Sequence, residues 1–170
     1  NINFFMKLQK VKNLLIFLSS LFFLTFCKVN AQTDDVITNI NGLIFKNPQI
    51  VYKDVNAKMV AGYFELENTN NFDDKLISVK GDISNKIEIH NTKMHDGVMK
   101  MYKIDGGINI KKKTSFNFEP GKYHLMIIDV KKKISDEEYL LSLYFQKSKI
   151  IELNFKAIST KNKLEMAHSH

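Results

Sequence analysis

Apolar and polar residues alternate in short runs from about Ile37 onward, with turn-forming residues between the runs. The first clear run covers 59–68 and gives way to a polar segment, and further runs cover 75–80 and 86–90. Neighbouring side chains of a strand point to opposite faces, so Ile87 and Ile89 share one face. His90 is then expected on the other face or at the strand end. No amphipathic helix of three or more turns is predicted.

The second half of the chain continues the pattern, with apolar runs at 98–102, 115–118, 123–130, 140–145 and 150–157. Asp96-Gly97 is typical of a hairpin turn, and the interpretation places Met94 and His95 in that connection. We predict roughly eight or nine strands in an all-β sandwich or barrel, with Met59 in its core.

The N-terminal segment is typical of a secretory signal peptide. A basic stretch follows Met6, an apolar run extends from Leu14 to Cys27, and Val29-Asn30-Ala31 suits cleavage after Ala31. The apolar run, at about 14 residues, is shorter than the roughly 20 needed to span a bilayer. Lipidation at Cys27 is an alternative, disfavoured by the bulky Phe26 before it, and an uncleaved anchor is another. The predicted organisation is a leader at 1–31, one β domain at 32–160 and a flexible tail at 161–170.

Loss of the leader changes the charge and removes the only cysteine. Residues 1–31 carry four lysines and no acid, so the formal charge falls from +7 to +3. The chain has no arginine, which disfavours a nucleic-acid partner. The lysine runs at 111–113 and 131–133 are interpreted as solvated surface, with an acidic partner as the alternative. Without Cys27 the exported protein has neither a thiol nor a disulfide.

Histidine and methionine are concentrated in one part of the chain. Four of seven methionines lie between 94 and 126, and three of five histidines lie between 90 and 124. Imidazole and thioether together form a soft, neutral donor set that suits Cu(I) better than Zn, Mg or Ca. Residues 124 and 126 share a strand face, about 7 Å apart. Neighbouring strand ends could bring together four donors: His90, Met101, His124 and Met126.

The chain contains other candidate metal ligands. Met94, His95 and Met99 are secondary candidates near the hairpin turn. The tail residues Met166, His168 and His170 are a candidate accessory site, for Cu(II) as well. Taken singly, a methionine on a strand is usually a core filler, and a histidine near a turn is usually a surface residue. It is the concentration of both types that favours a metal site.

Several motifs together resemble the periplasmic copper chaperone family often called PCuAC. They are Ile87-Glu88-Ile89-His90, the Asp-Gly-Val-Met-X-Met stretch at 96–101, Gly106-Gly107-Ile108 and 120–126 with its His124-Leu125-Met126. The resemblance runs from about Gly62 to the final strand. It implies a single-domain, cupredoxin-like β-sandwich of Greek-key type.

The resemblance also implies a ligand set and a role. One Cu(I) would be bound by His90, Met101, His124 and Met126 and carried toward the copper centre of cytochrome c oxidase subunit II, or to another copper-handling assembly protein. We therefore expect a periplasmic, monomeric copper carrier that is not an enzyme and is not stably inserted in a membrane. The alternative is an exported structural or adhesive β-sandwich whose Met and His are incidental.

Overall fold

The computed structural model describes residues 36–160, and these residues form eleven β-strands. The predicted signal peptide at 1–31 and the tail at 161–170, with Met166, His168 and His170, lie outside the described residues. In chain order the strands are β1 Ile37–Ile40, β2 Leu43–Tyr52, β3 Met59–Asn68, β4 Asp74–Gly81, β5 Lys86–His95, β6 Val98–Lys103, β7 Ile108–Ile110, β8 Thr114–Phe118, β9 Tyr123–Ile128, β10 Glu138–Phe145 and β11 Ile150–Ser159.

The alternating pattern of the sequence produces a one-sided core. Along β3 and β11 almost every second residue is buried, as expected of strands with one face on the protein interior. Aromatic rings fill the centre. The Phe64 ring stacks on Phe118 with centroids 4.3 Å apart and meets Phe155 edge-on at 5.7 Å. Burial of such rings supplies much of the hydrophobic stabilisation of a small domain.

All strands belong to one hydrogen-bonded sheet of order β6-β5-β9-β8-β3-β2-β11-β10-β4-β7, with β1 on β2 and a further pairing of β9 with β3. Several neighbours are distant in sequence, so the sheet contains crossovers. The β2 strand carries a bulge between Lys46 and Gln49, where Asn47 has a positive φ of 51° and Pro48 has no N–H to donate.

The chain turns tightly between β4, near one end of the sheet, and β5, near the other. Gly81 at the end of β4 bridges to Ser84, and the chain then enters β5. A Cβ built at Gly81 would lie 3.7 Å from the Ile87 side chain and would overlap the Leu141 side chain. A side chain at position 81 would therefore require the Leu141 side chain to move.

The all-β prediction is confirmed, with three differences. The described residues contain more strands than the eight or nine predicted. Strand β5 continues to His95, so placing Met94 and His95 in the turn is wrong. The end of this strand carries no apolar run because the outer part of the hairpin is solvated. Met59 is 53% exposed, so its assignment to the core is also wrong. Within residues 36–160 the structure contains no helix long and apolar enough to cross a membrane.

Candidate metal centre

Strand pairing brings the four predicted ligands to one face of the sheet. His90 on β5 is directly opposite His124 on β9, and Met126 is opposite Glu88. On the other side of β5, Met101 of β6 is opposite Thr92. Even-numbered positions of β5 and β9 therefore share this face, because the alternate residues Ile89 and Leu125 are buried in the core.

A groove of about 510 Å³ lies on this face. Three of the predicted ligands line it together with residues from neighbouring strands: Met101, His124 and Met126, with Met59, Tyr63 and Met99. His124 is only 5% exposed, whereas Met101 is 58% exposed. The groove therefore has a buried end at His124 and a solvated end at Met101. His90 is not among the lining residues and lies between His124 and Glu88.

The His90 ring has one nitrogen occupied and one unpaired. Its Nε2 lies 2.8 Å from Oε2 of Glu88. Its Nδ1 is buried and, within residues 36–160, is the one buried side-chain polar atom without a hydrogen-bond partner. A buried unpaired acceptor costs about 1–3 kcal/mol. If Nε2–H donates to Glu88, neutral His90 presents a free lone pair on Nδ1, as a metal ligand must.

Glu88 holds its charge in this position. Its hydrogen bond to His90 lowers the pKa of the carboxyl most strongly, burial opposes this, and nearby Lys103 and Lys86 lower it further. The Lys103 ammonium lies 3.4 Å from Oε1 of Glu88 and the Lys86 ammonium lies 3.9 Å from it. The carboxylate is therefore ionised at neutral pH and can accept the His90 proton, the arrangement that commonly orients metal-binding histidines.

The His124 ring is held by a backbone carbonyl oxygen. Its Nδ1 lies 3.1 Å from the Lys122 carbonyl oxygen, which also accepts the Thr92 N–H. Donation from Nδ1 leaves Nε2 as the nitrogen with a lone pair. Burial lowers the pKa of His124, the bond to Lys122 partly opposes this, and His90 lowers it further. The ring is therefore neutral at neutral pH. The Tyr63 ring lies 6.4 Å from it, and burial raises the Tyr63 pKa.

The donor types restrict the chemistry. Among the described residues, no three or more His, Cys, Asp or Glu side chains are grouped so that they could hold a metal ion. A site built on this face must therefore include thioethers beside the two imidazoles. Neutral nitrogen and thioether donors suit Cu(I), which needs no charged ligand and accepts soft sulfur.

Sequence reasoning missed two residues of this face. Glu88 lies two positions before His90, and the same period of two that aligns strand side chains would have placed it there. Met59 lines the groove because β3 pairs with β9, with Met59 opposite Ile128 and Ala61 opposite Met126. No local sequence pattern indicates that β3 pairs with β9. His95 lies on the opposite face from Met94, away from the groove.

The comparisons with known proteins support a shared fold. Residues 43–157 match the family model described as "Putative lipoprotein LpqE-like". The chain belongs to this LpqE-like family. A curated relative, the protein RP573 of Rickettsia prowazekii (strain Madrid E), is 35% identical over 86 residues, which are 50% of this chain and 48% of the relative. The match thus spans about half the length of that relative.

Solved PCuAC domains have the same architecture as this LpqE-like chain. The copper-bound PCuAC domain from PmoF2 is 14% identical, with a TM-score of 0.62 over 73% of this chain and 98% of that one. The apo PCuAC domain from PmoF1 is 17% identical, with a TM-score of 0.63 over 73% and 99%. The Cu(I) form of DR1885 from Deinococcus radiodurans is 18% identical, with a TM-score of 0.51 over 79% and 85%. These structures confirm the resemblance to PCuAC that the sequence predicted. Because the sequence identities are low, the similarity establishes the fold.

Proposed function

We propose that this protein is an exported copper carrier that binds one Cu(I) through His90, Met101, His124 and Met126. The observation that carries the proposal is the pairing of His90 with His124, each held by an outer hydrogen bond that leaves one ring nitrogen for a metal. Met101 and Met126 flank this pair on the same face. Two of the solved proteins with this fold are described as copper-bound or Cu(I) forms.

The geometry suits transfer better than catalysis. Four neutral ligands leave the Cu(I) complex with a charge of +1. The imidazoles lie at the protected end and the Met101 thioether lies at the solvated end, so an acceptor could replace the ligands one at a time, beginning with Met101. Within the described residues no cysteine is present to supply the thiolate of a blue-copper electron carrier.

The recipient we propose is the copper centre of cytochrome c oxidase subunit II, or another copper-handling assembly protein. We infer that the carrier acts outside the cytoplasm, where a ligand set without thiols resists oxidation. The family's description as a lipoprotein keeps attachment through Cys27 as an alternative to release in the periplasm. Palmitate labelling of wild type and of Cys27→Ser in the native host distinguishes the two.

The test of copper binding is an anaerobic competition titration with a chromogenic Cu(I) chelator. Wild type is compared with His90→Ala/Met101→Leu/His124→Ala/Met126→Leu, in which leucine keeps the approximate volume of methionine without its sulfur. Met59→Leu is the matched control, because it removes a groove methionine outside the proposed ligand set. The proposal requires tight binding in wild type and control and its loss in the fourfold variant. Equal binding in all three proteins favours the structural or adhesive alternative.

Delivery is tested in the native host. Deletion of the gene is expected to lower oxidase activity, and added copper is expected to restore it. The Met101→Leu/Met126→Leu protein should fail to complement the deletion if the thioethers bind copper. Full complementation by this variant would favour an adhesive or structural role.

A further inference from the structure

We propose that Met94 and Met99 form a second, weaker site for a soft monovalent cation at the tip of the β5–β6 hairpin. The inference rests on the proposed function for its physiological ion, Cu(I), but the site itself follows from the hairpin geometry. An ion that enters or leaves the four-ligand site would be bound there by two thioethers. Met99 lines the same groove as Met101, but Met94 lies beyond the two histidines, so the pair adds a site at the tip and does not enlarge the first one.

The hairpin fixes the two side chains against each other. Asp96 and Gly97 have φ values of 50° and 77°, as in a type I′ turn, and Met94 is directly opposite Met99. The Ile104 N–H donates to the Ile89 carbonyl at 2.8 Å, so odd-numbered residues of β5 hydrogen-bond toward β6. Met94 and Met99 are then a non-hydrogen-bonded pair, the closer type, with Cα atoms about 4.5 Å apart. Two thioethers at this spacing can bind one ion between them.

Distance makes this site separate from the first. Met94 lies four residues along β5 from His90, which is about 13 Å at the rise of a strand. One copper ion cannot bind both residues with ordinary bond lengths. Met101 is two residues from Met99, about 7 Å away on the same face, so it is the ligand of the first site that lies next to the tip.

The surroundings favour a soft cation. Met94 and Met99 are 64% and 51% exposed, and their face of the hairpin tip carries no carboxylate. Lys93 and Lys100 are opposite each other on the other face of the hairpin. Lys103 lies on the same face as the methionines, but its ammonium is paired with Glu88 and Asp105. The one carboxylate at the turn, that of Asp96, lies 3.5 Å from Nε2 of His95, a residue of the opposite face. On the methionine face, Cu(I) or Ag(I) would find two sulfurs.

The experiment is a titration of the full chain, labelled with carbon-13 at the methionine methyl groups, with Ag(I) and, under anaerobic conditions, with Cu(I). The first equivalent of metal ion should shift the methyl signals of Met101 and Met126. The second equivalent should shift the methyl signals of Met94 and Met99. Met94→Leu/Met99→Leu should lose the second phase and keep the first. Met59→Leu, which removes another exposed methionine, should keep both phases.

The outcomes separate this inference from the proposed function. If the first equivalent shifts neither Met101 nor Met126 but the tip methyls respond to Ag(I), the tip site stands and the carrier proposal fails. If the tip methyls do not respond at any ratio, or the second phase persists in Met94→Leu/Met99→Leu, the tip site is wrong. Unchanged titrations in that variant, with slower copper transfer to an acceptor protein, would make the tip a docking patch and would also overturn the metal site.

Discussion

His90 and His124 are directly opposite each other on neighbouring antiparallel strands, with ring centroids 5.8 Å apart. Neither ring is hydrogen-bonded to the other in the structure. Nε2 of His90 is held by the Glu88 carboxylate and Nδ1 of His124 by the Lys122 carbonyl oxygen, so each ring has one nitrogen engaged outside the pair. This arrangement places two imidazole rings side by side on the same face before a metal ion binds.

Removal of the carboxylate behind His90 should weaken copper binding. Glu88→Ala eliminates the 2.8 Å bond that fixes the ring, and loss of such an outer partner typically lowers metal affinity about 10–100-fold. Glu138→Ala, at an exposed position of β10, is the matched control. Competition titrations with Cu(I) provide the measurement. Equal affinities for the two variants would show that Glu88 does not position His90.

His124 should titrate below the ordinary histidine range in the metal-free protein. Burial is the main reason, because it disfavours the imidazolium. With a folded-state pKa below the unfolded value of about 6.5, the folded protein binds fewer protons, so the free energy of unfolding should fall as the pH drops below about 6.5. An NMR titration of the imidazole signals measures this pKa. A midpoint at or above the ordinary value would contradict the buried position of His124.

A buried aspartate far from the metal face should control stability. Asp74 accepts hydrogen bonds from the backbone N–H groups of Lys75, Lys147 and Ser148 and from the Ser148 hydroxyl. Asp74→Ala leaves these donors without their acceptor, which should cost about 1–3 kcal/mol at neutral pH. Urea denaturation of wild type, of this variant and of the exposed control Asp105→Ala measures the loss. A variant as stable as the control would contradict this role.

The Asp74 contribution should also depend on pH. Burial by itself raises the pKa of the carboxyl, but the bonds from Ser148, Lys147 and Lys75 outweigh it and lower the pKa. A lowered folded-state value means that the stabilisation is present above the unfolded value of about 3.9 and is lost as the pH falls through the folded value. The difference between wild type and Asp74→Ala should therefore shrink in acid. A difference that grows below pH of about 4 would be the contrary result.

Two adjacent glycines should differ sharply in tolerance. Gly106 and Gly107 both have positive φ, 76° and 84°, so alanine is strained at either position. A Cβ at Gly107 would also overlap the Leu76 carbonyl oxygen and lie 2.9 Å from the Ile77 Cα, whereas nothing lies within 4 Å at Gly106. Gly107→Ala should therefore unfold at the lower temperature. Similar melting temperatures would contradict the close approach to β4.

The local features could be predicted from the sequence because they depend on the alternation of strand side chains and on turn residues. Ile89 is buried and His90 faces the other way, as the alternation required, and Asp96-Gly97 forms the expected hairpin turn. The register of distant strands has no local signal. Only the β5–β9 pairing places His90 opposite His124, and only the β3–β9 pairing places Met59 beside the groove. The sequence placed Met94 and His95 in a turn because the end of an edge hairpin carries no core pattern.

The most direct test of the central claim is X-ray absorption spectroscopy of the protein loaded with one equivalent of Cu(I). The expected copper shell contains two sulfur and two nitrogen donors, from Met101, Met126, His90 and His124. The sulfur contribution should be lost in Met101→Leu/Met126→Leu and retained in Met59→Leu. A wild-type shell without sulfur, or one unchanged in the double variant, would contradict the proposed site.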